Sequence, residues 1–152
     1  MKKVLYLSVF LSIVIPSKIL AQDASIFPKG EKSPNNDHHV GTVYLKELNA
    51  PDSVFHYSIA VATFEPNSYL YWHVHPGGQI LMIIEGAGYY QEKGKPKQTV
   101  RKGDVIKCLP GVEHWHGASP ETGVTYLATT PTQKGRTVWL QRVTNEEYNG
   151  GK

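Results

Sequence analysis

An all-β fold, built as an antiparallel sandwich or barrel, is what this sequence predicts, and three observations carry the prediction. Short runs rich in Val, Ile, Tyr and Thr recur from Val40 onward, most of them closed by Gly or Pro. Fourteen Gly and ten Pro in 152 residues leave little room for long helices. Apart from one C-terminal turn, no stretch of the domain holds an apolar period near 3.6 residues. The length suits one domain with its own core, and 19% charged residues without a long charge run exclude wholesale disorder.

The chain opens on an address rather than on structure. Lys2 and Lys3 precede an apolar run from Val4 to Ile15, broken by Pro16 and Ser17, with Ala21 before a cleavage point. This is the layout of a secretory signal peptide over residues 1–21, and the run is too short for a membrane span. The mature chain then begins near Gln22, in the periplasm or outside the cell. Removing Lys2, Lys3 and Lys18 leaves 13 basic and 13 acidic residues, so the net charge of +3 belongs to the leader. A nucleic-acid footprint needs a basic surplus, and none remains. The nearest thing, Lys93, Lys95, Lys97, Arg101 and Lys102, interrupted by Gly94 and Pro96, reads as a solvated hairpin or loop.

Residues 22–39 are polar, interrupted by Pro28 and Pro34, and read as an extended arm. The domain proper spans 40–149. Its predicted strands are 40–48, 54–64, 69–75, 79–85, 88–91, 99–100, 105–108, 114–116, 124–129 and 138–143. Gly86 closes the fourth of these. Thr144-Asn145-Glu146-Glu147 has the form of a capping box and predicts a short helical turn. Asp104 sits in a turn. Cys108, the one cysteine, lies in a strand and reads as a buried, inert thiol.

Seven His are present, and four form two His-x-His pairs: His73 with His75, and His114 with His116. In a strand, residues i and i+2 share a face, so each pair can converge on one point. Imidazole is the commonest ligand for divalent transition metals. The Pro76-Gly77-Gly78 turn brings Gln79 to a neighbouring strand within reach of the same point. Four His and Gln79 would overfill a site that also takes a substrate, so one His is expected outside the ligand set. His38 and His39 read as surface residues of the arm, and His56 as a strand-surface or rim residue. Trp72 and Trp115 alternate with the ligands and point away from the metal, to packing or a dimer surface. Tyr71 shares the inward parity and is expected at the pocket; Met82 and Ile84 are expected in the core.

At these residues the sequence resembles the cupin superfamily. Its first motif is Gly, five residues, His-x-His, three or four residues, Glu, six residues, Gly. Here Asn67 stands first, His73 and His75 follow, Gln79 replaces Glu, and Gly86 closes. In the second motif Gly103, Gly111 and His114 match, while Leu109 and Ala118 replace Pro and Asn. Trp72-His73-Val74-His75-Pro76 with Gln79, then His114-Trp115-His116-Gly117-Ala118, is similar to small bacterial cupins that include manganese-dependent hydroxynitrile lyases.

The resemblance runs from about Gly41 to Tyr148 and implies a single cupin barrel, a double-stranded β-helix or jelly roll. It implies His73, His75, Gln79 and His114 as metal ligands and His116 as a pocket acid/base. Tyr126 aligns with a further pocket His of the lyases and takes that catalytic position. The implied cofactor is a divalent metal, manganese first, with iron, nickel or zinc as alternatives. The implied partners are a small-molecule substrate and a second copy in a homodimer or higher homo-oligomer, with no nucleic acid and no membrane after signal cleavage. Lyase or proton-transfer chemistry is the leading expectation. A metal-dependent dioxygenase and a secreted, non-catalytic binder of a sugar-like ligand are the rivals.

Overall fold

The computed structural model describes residues 25–35 and 38–150. The expected signal segment, residues 1–21, lies outside them. Twelve strands and one helix follow in order. They are β1 (Glu31–Lys32), β2 (His39–Val40), β3 (Val43–Asn49), β4 (Tyr57–Phe64), β5 (Tyr69–Leu70), β6 (His73–Val74) and β7 (Gln79–Glu92). Then come β8 (Gln98–Arg101), β9 (Val105–Cys108), β10 (His114–Ala118), β11 (Val124–Pro131), β12 (Val138–Trp139) and α1 (Asn145–Asn149). All pairings are antiparallel, in the order β1-β3-β4-β11-β7-β10-β5-β2. The sheet is nearly all of the fold and curls into the expected barrel.

The long strand β7 explains the curl. Its first part pairs with β11 and β9, and its second part with β10 and β8. The passage between the two halves falls at Gly86, whose φ is +71°; a Cβ there would meet the Gly123 carbonyl oxygen at 2.0 Å. Only glycine fits both demands. The sequence reading ended a strand at Gly86. Instead the residue bends one 14-residue strand across both sides of the barrel. Gly41, with φ +77°, does the reverse to the predicted strand 40–48. It breaks it, so that β2 joins β5 on one side and β3 joins β4 on the other.

Other boundaries move for local reasons. The predicted strand 54–64 starts at Tyr57, because the Asp52 carboxylate accepts the amides of Val54 and Phe55 and holds a turn there. The stretch 69–75 divides into β5 and β6, both paired to β10. The last predicted strand keeps only Val138–Trp139. Within the arm β1 pairs with β3, and β2, where the arm meets the domain, pairs with β5. His39 is buried there and donates from Nε2 to the Pro34 carbonyl at 3.0 Å; it is not a surface residue. His38 stacks on Trp139, ring centres 4.6 Å apart, and His56 is exposed as expected.

Two cores form. Inside the barrel, Val43, Phe64, Leu81, Ile83, Tyr90 and Tyr126 pack together. Parity runs inward through Gln79, Leu81 and Ile83, so Met82 and Ile84 are half-buried on the outer face rather than core residues. Outside β10, Tyr69, Trp72, Trp115, Val143 and Tyr148 form the second core. The capping box is present at Thr144 and Glu147, and it starts α1 so that Tyr148 reaches the aromatic cluster. Tyr148 stacks on Tyr69 at 4.2 Å and donates its hydroxyl to the Ala118 carbonyl at 3.0 Å. Both Trp side chains therefore serve packing, with their ring N–H groups satisfied by Gln91 and Glu147.

Candidate metal centre

The register of β6 on β10 sets His114 directly opposite His73. A direct cross-strand pair brings side chains close, and the two rings stand 4.3 Å apart. His75 follows on the first residue beyond β6, its ring 5.0 Å from His73 and 5.4 Å from His114. One ring nitrogen from each of the three lies within 4.8 Å of the others, and all three residues are buried. Three of the four paired histidines thus come together.

The far nitrogens show how the rings are held. His73 Nδ1 donates to the Tyr71 carbonyl at 2.8 Å, and His114 Nδ1 to the Val112 carbonyl at 3.0 Å. A carbonyl only accepts, so Nδ1 carries the proton in both rings and Nε2 keeps its lone pair. His75 Nδ1 bonds the Thr137 hydroxyl at 3.1 Å. His75 Nε2 and His114 Nε2 are buried without a partner. Buried polar atoms are normally satisfied, and an orphaned pair aimed at one point asks for a ligand. Outer hydrogen bonds of this kind are those that orient imidazoles on a metal.

Electrostatics agree. Burial lowers the pKa of His73 well below the usual histidine value, helped by His114 and His116. Burial also holds His75 at about 4 and depresses His114. Neutral imidazoles are the form that binds a divalent cation. Three neutral nitrogen donors close together, two of them unpartnered, fit such an ion. Gln79 is buried on the same cavity, its Nε2 donating to the Thr130 hydroxyl at 3.0 Å. Cys108 lies beside it, Sγ to Gln79 Oε1 at 3.9 Å, with burial pushing its thiol up to about 12.

The cavity in front of the cluster holds about 370 Å³. His75, Gln79 and His116 reach it from the cluster side. Ala60, Ala62 and Ala128 line it from β4 and β11, where short side chains make the space. Arg136, Thr137 and Trp139 close it from the segment before and within β12. His116 stands outside the three-nitrogen group, as the crowding argument required. It is buried, its Nδ1 has no partner, and burial together with His114 and His75 keeps it neutral.

Two expected pocket residues are corrected. Tyr126 packs its ring 4.8 Å from His116, but its hydroxyl donates to the carbonyls of Gly117 at 3.0 Å and Tyr89 at 3.2 Å. Burial raises its pKa further, so it holds its proton and braces His116 instead of exchanging protons with a substrate. Tyr71 lines a separate cleft with His39 and Arg142, because the chain bends between β5 and β6 and breaks the parity with His73. Sequence reasoning missed Thr130, Thr137, Arg136 and Trp139. The alternation of Thr137 with Trp139 was the one available signal.

Together the curled antiparallel sheet and the buried histidine cluster define a β-barrel with a site that could hold a divalent metal. The chain belongs to the cupin family: residues 60–129 match the Cupin domain, and 114 residues are 40% identical to the (R)-mandelonitrile lyase of Granulicella tundricola, covering 74% of this chain and 86% of that protein. A cupin-like protein of Thermotoga maritima is 40% identical with a TM-score of 0.80, covering 83% of this chain and 96% of that one. A predicted oxalate decarboxylase of the same organism shares the fold at 23% identity and a TM-score of 0.58, over 72% of this chain and 91% of its own.

Proposed function

We propose that this protein is a metal-dependent cupin enzyme of lyase or proton-transfer type, hydroxynitrile lyase-like in its site. The observation that carries the reading is the set of three buried, neutral imidazoles with nitrogens aimed at one point beside His116. The 40% identity to a mandelonitrile lyase supports the lyase class. His73, His75 and His114, with the Gln79 amide, would hold the ion, manganese first and iron, nickel or zinc as alternatives. A divalent ion held by uncharged donors supplies strong Lewis acidity toward a hydroxyl or carbonyl oxygen.

The chain's own residues do the rest. The alanine wall admits a substrate of aromatic size against the cluster. Trp139 and Thr137 border the cavity opposite the alanines. His116, neutral and with Nδ1 unpartnered, is the group that takes or returns a proton at the reacting centre. Tyr126 fixes the ring of His116 by packing. The reading includes export on residues 1–21 and a homodimer, which size-exclusion chromatography with light scattering tests.

The test is metal content by mass spectrometry on the purified protein and on His75→Ala, followed by cleavage of mandelonitrile. Near-stoichiometric metal, lost in the variant, with cyanide released by the wild type, supports the reading. Metal without cyanide release but with dioxygen uptake moves the function to a dioxygenase. A small-ligand binder is the second reading, favoured because Tyr126 offers no proton and leaves His116 without an acid/base partner. Protein that stays empty after metal supplementation makes that second reading the function.

A further inference from the structure

The segment that closes the cavity carries one sign of charge. Between Glu121 and Glu146 the sequence has Lys134, Arg136 and Arg142 and no Asp or Glu. Arg136 is the member of this set that lines the cavity with His75, Gln79 and His116. Among the described residues no ion pair involves it. Glu47 is the one acid on the cavity lining, and no ion pair joins it to Arg136. The cluster side adds no acid, since it presents His75, His116 and the Gln79 amide to the cavity.

An unpaired guanidinium at the edge of a cavity whose other end is built for a cation is arranged for an anion. Arginine presents parallel N–H donors that match a carboxylate, and such charge-assisted pairs are the strong ones. The acid-free segment that carries Arg136 also favours the approach of ligands of opposite sign from that side, away from Glu47.

We infer that the substrate carries a carboxylate, which Arg136 binds while the reacting oxygen faces the histidine cluster. The inference rests on the metal-site reading for the position of the reacting end. It narrows the lyase or proton-transfer chemistry to hydroxynitriles, hydroxy compounds or carbonyl compounds that also carry a carboxylate, with uncharged mandelonitrile a poorer substrate than such an acid. Arg136 is then a specificity residue rather than a member of the proton-transfer machinery.

The test is calorimetric titration of the full chain with mandelate and with 4-(hydroxymethyl)benzoate, each against its neutral amide. The two acids place the carboxylate near to and far from the hydroxyl. The expected result is at least one acid bound about tenfold or more tighter than its amide, as a charge-assisted contact gives. Arg136→Gln brings that acid down to the affinity of the amide, Arg136→Lys keeps part of the difference, and Glu47→Gln keeps all of it. Equal or absent binding of acids and amides by the wild type overturns the inference, and so does a preference that survives Arg136→Gln. Metal content is measured on the same samples. Full metal with no acid preference removes the carboxylate and leaves the metal site. An empty protein with an Arg136-dependent preference removes the lyase reading and leaves the anion site.

Discussion

The two faces of β10 are both buried, yet they are built to opposite rules. On one face Trp115 packs among Tyr69, Trp72, Val143 and Tyr148, and its ring N–H reaches Gln91 at 2.8 Å. Tyr148 and Trp72 also have partners for their polar atoms. On the other face His114 and His116 turn inward with one nitrogen each left unpartnered. A residue pair one position apart thus separates stability from chemistry. Satisfied polar groups inside an aromatic core rigidify it, whereas unsatisfied ones are a cost that only a ligand offsets.

The comparison can be broken by crossing its two halves. Trp115→Ala should lose about 3–5 kcal/mol, as large aromatic truncations in cores do, measured by urea unfolding. Its folded fraction should still take up metal. His114→Ala should do the reverse: metal affinity falls by more than about 100-fold, because partners one layer further out already cost 10–100-fold, with unfolding free energy of the metal-free protein little changed or raised. Metal retained by His114→Ala, or lost from folded Trp115→Ala, would merge the two faces into one unit.

Acid sharpens the contrast. Burial lowers the histidine pKa values, His75 from 6.5 to about 4. Between those two values the unfolded chain binds the proton and the folded site does not. Stability of the metal-free protein is therefore flat above about pH 6.5 and declines as pH falls toward about 4, by up to ~1.4 kcal/mol per pH unit for each such histidine. Circular dichroism against pH should show this decline in the wild type and a shallower one in His75→Ala. On the aromatic side, Glu147 is held at about 2 despite partial burial, by the Thr144 amide, Lys93 and the Trp72 N–H, so its bonds persist through this range. The smallest effect is expected at the cap. Thr144→Ala should cost about 1 kcal/mol, with metal uptake unchanged.

Much of this arrangement was legible because strands carry a period of two. The spacing of His73, His75, His114 and His116 needed only extended backbone to converge, and the capping box at Thr144 needed only local chain. Gly86 was misread because a positive φ serves a turn and a strand bend equally, and only the Gly123 carbonyl beside it decides. Tyr126 was misread because its hydroxyl answers to carbonyls on β7 and β10, from residues 37 and 9 positions away. Arg136 went unnoticed since nothing in a short polar turn announces that it folds over a distant cluster, and the alternation of Thr137 with Trp139 shows a strand but not what it faces.

The cavity divides its labour between strands that do not share residues. The histidines stand on or beside β6 and β10, while Ala60, Ala62 and Ala128 stand on β4 and β11 and Arg136 on the connection to β12. A change in the reach or polarity of the cavity can therefore arise by single substitutions that leave the ligand set intact. Divergence of substrate range in such a barrel need not pass through a metal-free ancestor, and a laboratory search for new substrates has its first positions at 60, 62, 128 and 136.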